Sequence, residues 1–410
     1  MKNKINSHLL IFVSAVLLLP SFVLAKTETF KVKSFPTAPS TREEIQSGLE
    51  LLYRNNPEQL SQISARIDES VEFQNYVYRT LQEGLKNTPV IEVETSEKVL
   101  KGNFVKQTTI SFSSLVQREG DHAANHVIAR IFEPSNQDKN CDYKYPATIL
   151  LHHISDEISA IETAGKFISG GLLTRPAIVA VIQMPHYAQR KQGTENFINM
   201  DAANFQKNMA QLILDVHLLK NYMETRSNIN ANHISLAGIS LGGVMGLTVG
   251  AFDQSFESYG YIVGGGDMAN ILMNRVRQRP GSEVELALKS MPGSYDESGK
   301  LTITEDFVRS KIASVDSMTW IHRFKNKRVG MVNAGKDDLV YFDRSVAPIL
   351  NALKANNNKV SSIVNPNDQH VPGSGFTVFR HEFIPTNDFL TDGAPTKSQM
   401  CPNLDLMGSN

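Results

Sequence analysis

The chain has 410 residues, with 41 Lys and Arg against 42 Asp and Glu and only 2 Cys. A formal net charge of −1 leaves no basic stripe of the kind that binds a phosphate backbone, which argues against a nucleic-acid partner. The length allows one large domain with decorations or two small ones, with a sizeable core in either case.

Lys2 and Lys4 precede an apolar stretch from Leu9 to Leu19, and Val23-Leu24-Ala25 has the small-residue pattern of a signal-peptidase site. Residues 1–25 are therefore expected to be a signal peptide cleaved after Ala25, placing the mature protein in the periplasm or outside the cell. The run falls short of the roughly 20 apolar residues of a spanning helix, and no later segment supplies one, so no stable membrane span is expected after cleavage. Position 26 is Lys rather than Cys, which gives no support to a lipid-modified terminus.

Residues 26–100 are predicted to form a helical extension. Leu49, Leu51, Leu52, Ile63 and Ile67 recur near helical spacing between Ser40 and Asn87, and Pro57 breaks the run. The main domain is expected over 101–395, with a tail at 396–410. After Gly102, Thr108 to Val116 and Val127 to Phe132 alternate as strands do. Cys141 precedes the next strand and Cys401 lies in the tail; an oxidising compartment would let them pair as a disulfide.

Ala147 to Leu151 and Ala177 to Ile182 are continuous apolar runs, as in strands covered on both faces, with a helix-like stretch from Glu157 to Ser169 between them. Phe205, Met209, Leu212, Val216 and Leu219 mark one face of a long helix. Strands follow at His233 to Ala237, Tyr259 to Val263, Val329 to Val332 and Val360 to Val364. Strands alternating with helices imply an α/β fold with a mostly parallel central sheet flanked by helices. Met268 to Lys325 is too long for an ordinary connection and is expected to form a helical cap insertion, about 268–325, over the carboxyl edge of the sheet.

Gly238-Ile239-Ser240-Leu241-Gly242-Gly243 sits between a buried strand and a run able to start a helix. This is the G-x-S-x-G elbow in the context it requires, which makes Ser240 the candidate nucleophile. A serine hydroxyl needs a base and a group to fix that base's tautomer. Asp337 and Asp338 follow the Val329 to Val332 strand, and His370 follows the last strand. Asp338 is the expected acid, with Asp337 the alternative. Two backbone donors are needed for an oxyanion: Leu241 for one, and His153 or Ile154, after the Ala147 to Leu151 strand, for the other. His152 and His153, with His186 or Asp156, invite a metal reading, yet no ligand spacing such as H-E-x-x-H is present, and no metal is expected.

With these residues in place, the chain resembles the α/β-hydrolase superfamily from about Gln107 to Leu390. GISLGG, GKDD and NDQH stand in that superfamily's order. The approach Val315-Asp316-Ser317-Met318-Thr319-Trp320 leading to NAGKDDLV is similar to dienelactone hydrolases and acetyl-xylan-esterase-like enzymes, and counting along it selects Asp338. The resemblance implies the α/β-hydrolase fold, no cofactor, and a serine hydrolase acting on a small-molecule ester or acyl substrate through an acyl-enzyme. An exported peptidase or amide hydrolase with the same triad, and a non-catalytic binding module on this fold, are the alternatives. Two departures stand out: His152-His153 replaces the usual His-Gly, and Met184 to Arg190 replaces the commoner Asp-x-Arg-Gly-x-Gly segment.

Overall fold

In a computed structural model of the chain, residues 26–100, 103–134, 143–154, 177–191, 201–299, 302–370 and 389–393 are described. The expected signal peptide, the stretch from Glu157 to Ser169, both cysteines and the 396–410 tail lie outside them.

Among the described residues, ten strands form one sheet in the order β1-β2-β3-β4-β6-β5-β7-β8-β9-β10. They are β1 (Lys26–Thr29), β2 (Val90–Leu100), β3 (Asn103–Ser113), β4 (His126–Pro134), β5 (Tyr145–Leu151), β6 (Ile178–Ile182), β7 (Ile229–Ile239), β8 (Ser258–Ile262), β9 (Arg328–Ala334) and β10 (Lys359–Asn365). From β6 to β10 all neighbours are parallel, and β1 to β4 join antiparallel. The parallel strands β5, β6 and β8 are buried at every residue, as strands covered on both faces are.

The amino-terminal region departs from a purely helical reading. It begins and ends in strands, β1 and β2, which extend the central sheet rather than standing apart. Between them lie α1 (Arg42–Leu52), α2 (Pro57–Ser64) and α3 (Ile67–Gly84). Thr41 and Glu44 form a reciprocal capping box on α1, and Pro57 opens α2 at the position where its missing N–H is harmless. Alternation in Ile91-Glu92-Val93-Glu94 was the available strand signal for β2.

Beyond the short α4 (His122–Asn125), the helices are α5 (Ala202–Glu224), α6 (Leu241–Phe252), α7 (Met268–Gln278), α8 (Glu283–Ser290), α9 (Glu305–Ile312), α10 (Ser317–Trp320) and α11 (Ala347–Ala355). The apolar stripe predicted on α5 understates its burial: every residue from Asn208 to Met223 is buried. It packs against β7, α3 and α6, so its polar side chains need internal partners. Asp215 meets Arg190 at 2.8 Å and Ser114 at 2.6 Å, and His217 bridges Asp253 and the Lys33 carbonyl at 2.7 Å each. The extension is further joined to the body by Arg323, which is buried and donates to Ser40, Gln74, Thr37, Tyr78 and the Ala38 and Ala251 carbonyls.

Candidate active site

The chain leaves β5 for β6 on one side and later returns to β7 on the other. Connections therefore diverge at the carboxyl ends of β5 and β7, opening the crevice where parallel α/β sheets place their sites. Leu151 is in register with Gly238 there, which brings the loop after β5 beside the turn after β7.

That turn holds Ser240 at φ 52° and ψ −115°, a left-handed backbone that a non-glycine residue adopts only when its surroundings enforce it. Two backbone hydrogen bonds enforce it: the Ser240 N–H donates to the Ile262 carbonyl at 2.9 Å, and its own carbonyl accepts from Val244 at 2.9 Å. The flanking glycines are steric necessities. A Cβ on Gly238 would lie 2.1 Å from the Gly242 carbonyl oxygen, and one on Gly242 would lie 2.2 Å from that of Leu151. The side chain stands at the amino end of α6, whose unpaired N–H groups favour developing negative charge.

Ser240 Oγ lies 2.8 Å from His370 Nε2, and His370 Nδ1 lies 2.8 Å from Asp337 Oδ2. A carboxylate facing Nδ1 calls for the proton on that nitrogen, which leaves the Nε2 lone pair for the serine hydroxyl. Three residues from the ends of three strands thus meet at one edge of the sheet. The turns bearing the base and the acid are also tied together, Gly335 N–H to the Asn365 carbonyl at 2.7 Å and Lys336 N–H to that of Asp368 at 2.9 Å.

The expected acid, Asp338, is corrected to its neighbour. Asp337 is buried, and its Oδ1 accepts from the N–H groups of Leu339 (2.9 Å) and Val340 (2.8 Å), an Asx turn that aims Oδ2 at the imidazole. Asp338 is the next residue along and is exposed; the carboxylate that meets the ring is that of Asp337. Counting along a motif could not separate two adjacent aspartates; the direction of the turn does.

His152, at the end of β5, has a role the sequence did not disclose. Its Nε2 accepts from the Met184 N–H at 3.1 Å, so the proton on Nδ1 is donated to the His153 carbonyl at 2.7 Å. Burial lowers its pKa to about 4, keeping the ring neutral and the tautomer fixed. Tyr187 packs edge-on against it with centroids 5.3 Å apart. With the His153 carbonyl held, the planar trans peptide directs the Ile154 N–H the opposite way. The His152 carbonyl oxygen lies on the Gly242 side, and the His153 N–H points away from it by the same geometry. Both residues offered for the second donor, His153 and Ile154, lie in this loop beside the Ser240 turn, and Ile154 is exposed.

His186 is buried at φ 60°, with Nδ1 3.6 Å from Asp121 Oδ2. Burial is the main cause that lowers its pKa to about 4, with Arg118 adding to it. Among the described residues no group of three or more His, Cys, Asp or Glu is arranged to hold a metal ion. No helix among them is long and apolar enough to cross a membrane.

No protein-family model matches the chain, and no curated protein matches it in sequence. Among solved structures it is similar to acetyl xylan esterase 1 from Thermoanaerobacterium sp. JW/SL YS485, at 16% identity and TM-score 0.54, over 77% of this chain and 93% of that one. It is similar to an acetyl xylan esterase from Paenibacillus sp. R4 at 12% identity and TM-score 0.52, over 75% and 91% respectively. A Mycobacterium tuberculosis puromycin-hydrolyzing peptidase matches at 12% identity and TM-score 0.50, over 75% of this chain and 46% of that one. These likenesses establish the α/β-hydrolase fold.

Proposed function

We propose that this chain is an exported serine hydrolase that cleaves a carboxylic ester of a small molecule through an acyl-enzyme. The observation that carries the reading is the continuous contact from Ser240 through His370 to Asp337, two hydrogen bonds of 2.8 Å with the tautomer they require. The ester preference draws on the two esterases of like fold, and export draws on the Lys2 to Ala25 leader pattern.

In this mechanism His370 Nε2 takes the Ser240 proton as Oγ attacks the acyl carbon. The charge that develops on the acyl oxygen is met by the Leu241 N–H, the first of α6, and by the N–H of His153 or Ile154 in the loop after β5. Asp337 keeps the imidazole in the attacking tautomer and stabilises its cationic form. Collapse of the tetrahedral intermediate returns the proton from Nε2 to the leaving alkoxide, and water repeats the sequence on the acyl-enzyme.

The test is hydrolysis of a panel of short p-nitrophenyl and acetyl esters by the mature protein, with fluorophosphonate labelling. Wild type turns over and is labelled at Ser240; Ser240→Ala loses both, with kcat down by about 10⁴-fold or more. Equal turnover by Ser240→Ala rejects the mechanism, and an unlabelled wild type favours a binding module. Matched anilide and ester substrates separate an amidase from an esterase. Export predicts a mature amino terminus at Lys26 in periplasmic or culture fractions, read by terminal sequencing.

A further inference from the structure

The buried stripe of a helix is ordinarily apolar. In α7, positions 270, 274 and 278 lie four apart on one stripe, and all three are amides: Asn270 and Asn274 are buried and Gln278 is exposed. Each buried amide needs partners to offset its desolvation, and here they connect in sequence. Asn270 Nδ2 donates to Glu305 at 3.0 Å, and Asn274 Nδ2 donates to Asn270 Oδ1 at 3.1 Å and to the Leu339 carbonyl at 3.2 Å. Arg277, which can only donate, holds Asn274 Oδ1 at 2.6 Å, and this fixes which way the amide faces. Gln278 Nε2 donates to the Asp338 carbonyl at 2.7 Å.

The two carbonyls gripped by α7 belong to the turn that carries Asp337. The Asp338 carbonyl and the Leu339 N–H are opposite edges of one peptide plane: Gln278 holds the first, and the second donates to Asp337 Oδ1. The next plane repeats the arrangement, with Asn274 on the Leu339 carbonyl and the Val340 N–H on the same Oδ1. Two rigid peptides therefore run side by side from α7 to one carboxylate oxygen, and each hydrogen bond polarises the next. The opposite carboxylate oxygen is the one that meets His370.

We propose that Asn274 and Gln278 are positioning residues for the triad, holding the Asp337 carboxylate toward His370 through the 338–339 and 339–340 peptides. This rests on the hydrolase reading for its kinetic consequence, though not for its structural one. On this account α7, the first helix of the insertion, is part of the machinery that sets the acid.

The test is a double-mutant cycle in the full mature protein. Gln278→Met and Asn274→Leu remove the donors at near-constant shape. With Asp337 intact each lowers kcat for a p-nitrophenyl ester by about 5- to 10-fold with KM within about twofold. On an Asp337→Asn background the same changes move kcat by less than about twofold, because no carboxylate remains to be aimed. Equal losses on both backgrounds mean a merely structural effect and overturn the proposal, as does no loss on either. Gln278→Met alters an exposed side chain, so its result stands even where Asn274→Leu fails to fold. A second readout is independent of turnover: the proton resonance of His370 Nδ1, assigned by its absence in His370→Asn, shifts or broadens in Gln278→Met. An unmoved resonance overturns the proposal whether or not the wild type cleaves esters; an inactive, unlabelled wild type with a moved resonance counts against the hydrolase reading alone.

Discussion

The proposed nucleophile and the proposed acid are held in place by two different means. Ser240 is positioned by its own backbone: glycines at 238 and 242 let strand, turn and helix pass within contact distance, and the serine is forced to φ 52° at the apex. Asp337 has no such local compulsion. Its direction is set by an Asx turn, by cross-links to the turn that bears His370, and by side chains of a helix some 60 positions earlier in the chain. A site can thus combine one part that tolerates almost no change in a few consecutive residues with another distributed over several elements, each giving a smaller share.

That contrast can be broken or sharpened by experiment, and the largest effect is expected at the elbow. Gly242→Val places carbon against the Leu151 and His152 carbonyl oxygens, where backbone has no rotamer to yield. A loss of about 3 kcal/mol or more, read as failure to accumulate folded protein or a sharply lower Tm, is expected. Near-normal stability would mean that the elbow is looser than its geometry.

Next comes the distinction between the adjacent aspartates. Asp337→Ala is expected to lower kcat by about 10³- to 10⁴-fold with little change in KM, as removal of an orienting carboxylate does. Asp338→Ala removes an exposed side chain and is expected to stay within about threefold on the same ester substrate. The reverse order would restore the acid selected by motif counting and overturn the assignment made from the turn.

A smaller effect is expected at His152, which bonds the His153 carbonyl in the proposed oxyanion loop. His152→Phe keeps the ring against Tyr187 but removes the bonds to Met184 and the His153 carbonyl. A decrease in kcat of about 10- to 100-fold with KM nearly unchanged is the expected split for loss of one well-aimed donor. Unaltered kcat would show that the loop holds its own shape.

The smallest and most diffuse effect is on stability against pH. Burial lowers the pKa values of His152 and His322 from 6.5 to about 4, so the folded protein resists protons that the unfolded chain accepts. Their contribution is intact above pH 6.5 and is lost as pH falls from there toward about 4. Asp316 acts in the opposite sense: burial, reinforced by nearby Asp267, raises its pKa to about 6, and the folded state gains as it protonates. His186 adds to the histidine side, and Asp215 and Asp267, whose pKa values burial raises, add to the carboxyl side, so a change at His322 alone isolates one contribution. His322→Gln, which retains a side chain able to bond Ser40 and the Thr319 carbonyl, should recover about 2 kcal/mol at the acid end and almost nothing at pH 7.5. An equal change at both ends would mean that the residue matters for packing and not for its charge.

Much of the architecture was legible in the chain itself. The strands from β3 to β10 were expected in the chain, the clearest by alternation or by a continuous apolar run, because a two-residue side-chain period and burial on both faces leave their pattern in consecutive residues. The strands that escaped, β1 and β2, flank the helical stretch of the amino-terminal region, and they are strands because an existing sheet edge offers them hydrogen-bond partners. The all-round burial of α5 was hidden for a similar reason: its outer face reads as polar, and only the arrival of α3 and the pairing of its polar side chains makes that face interior.

At the site itself, the sequence alone singled out Ser240, because the steric demands of a strand–turn–helix elbow fall on adjacent residues, and it offered His370, which the structure brings to it. It offered Asp337 and Asp338 together and left His152 without a role. Tertiary structure decided those, since a carboxylate's direction and an imidazole's tautomer depend on donors and acceptors brought from Met184, Asn274, Gln278 and His370, far apart along the chain and next to one another only once the sheet has formed.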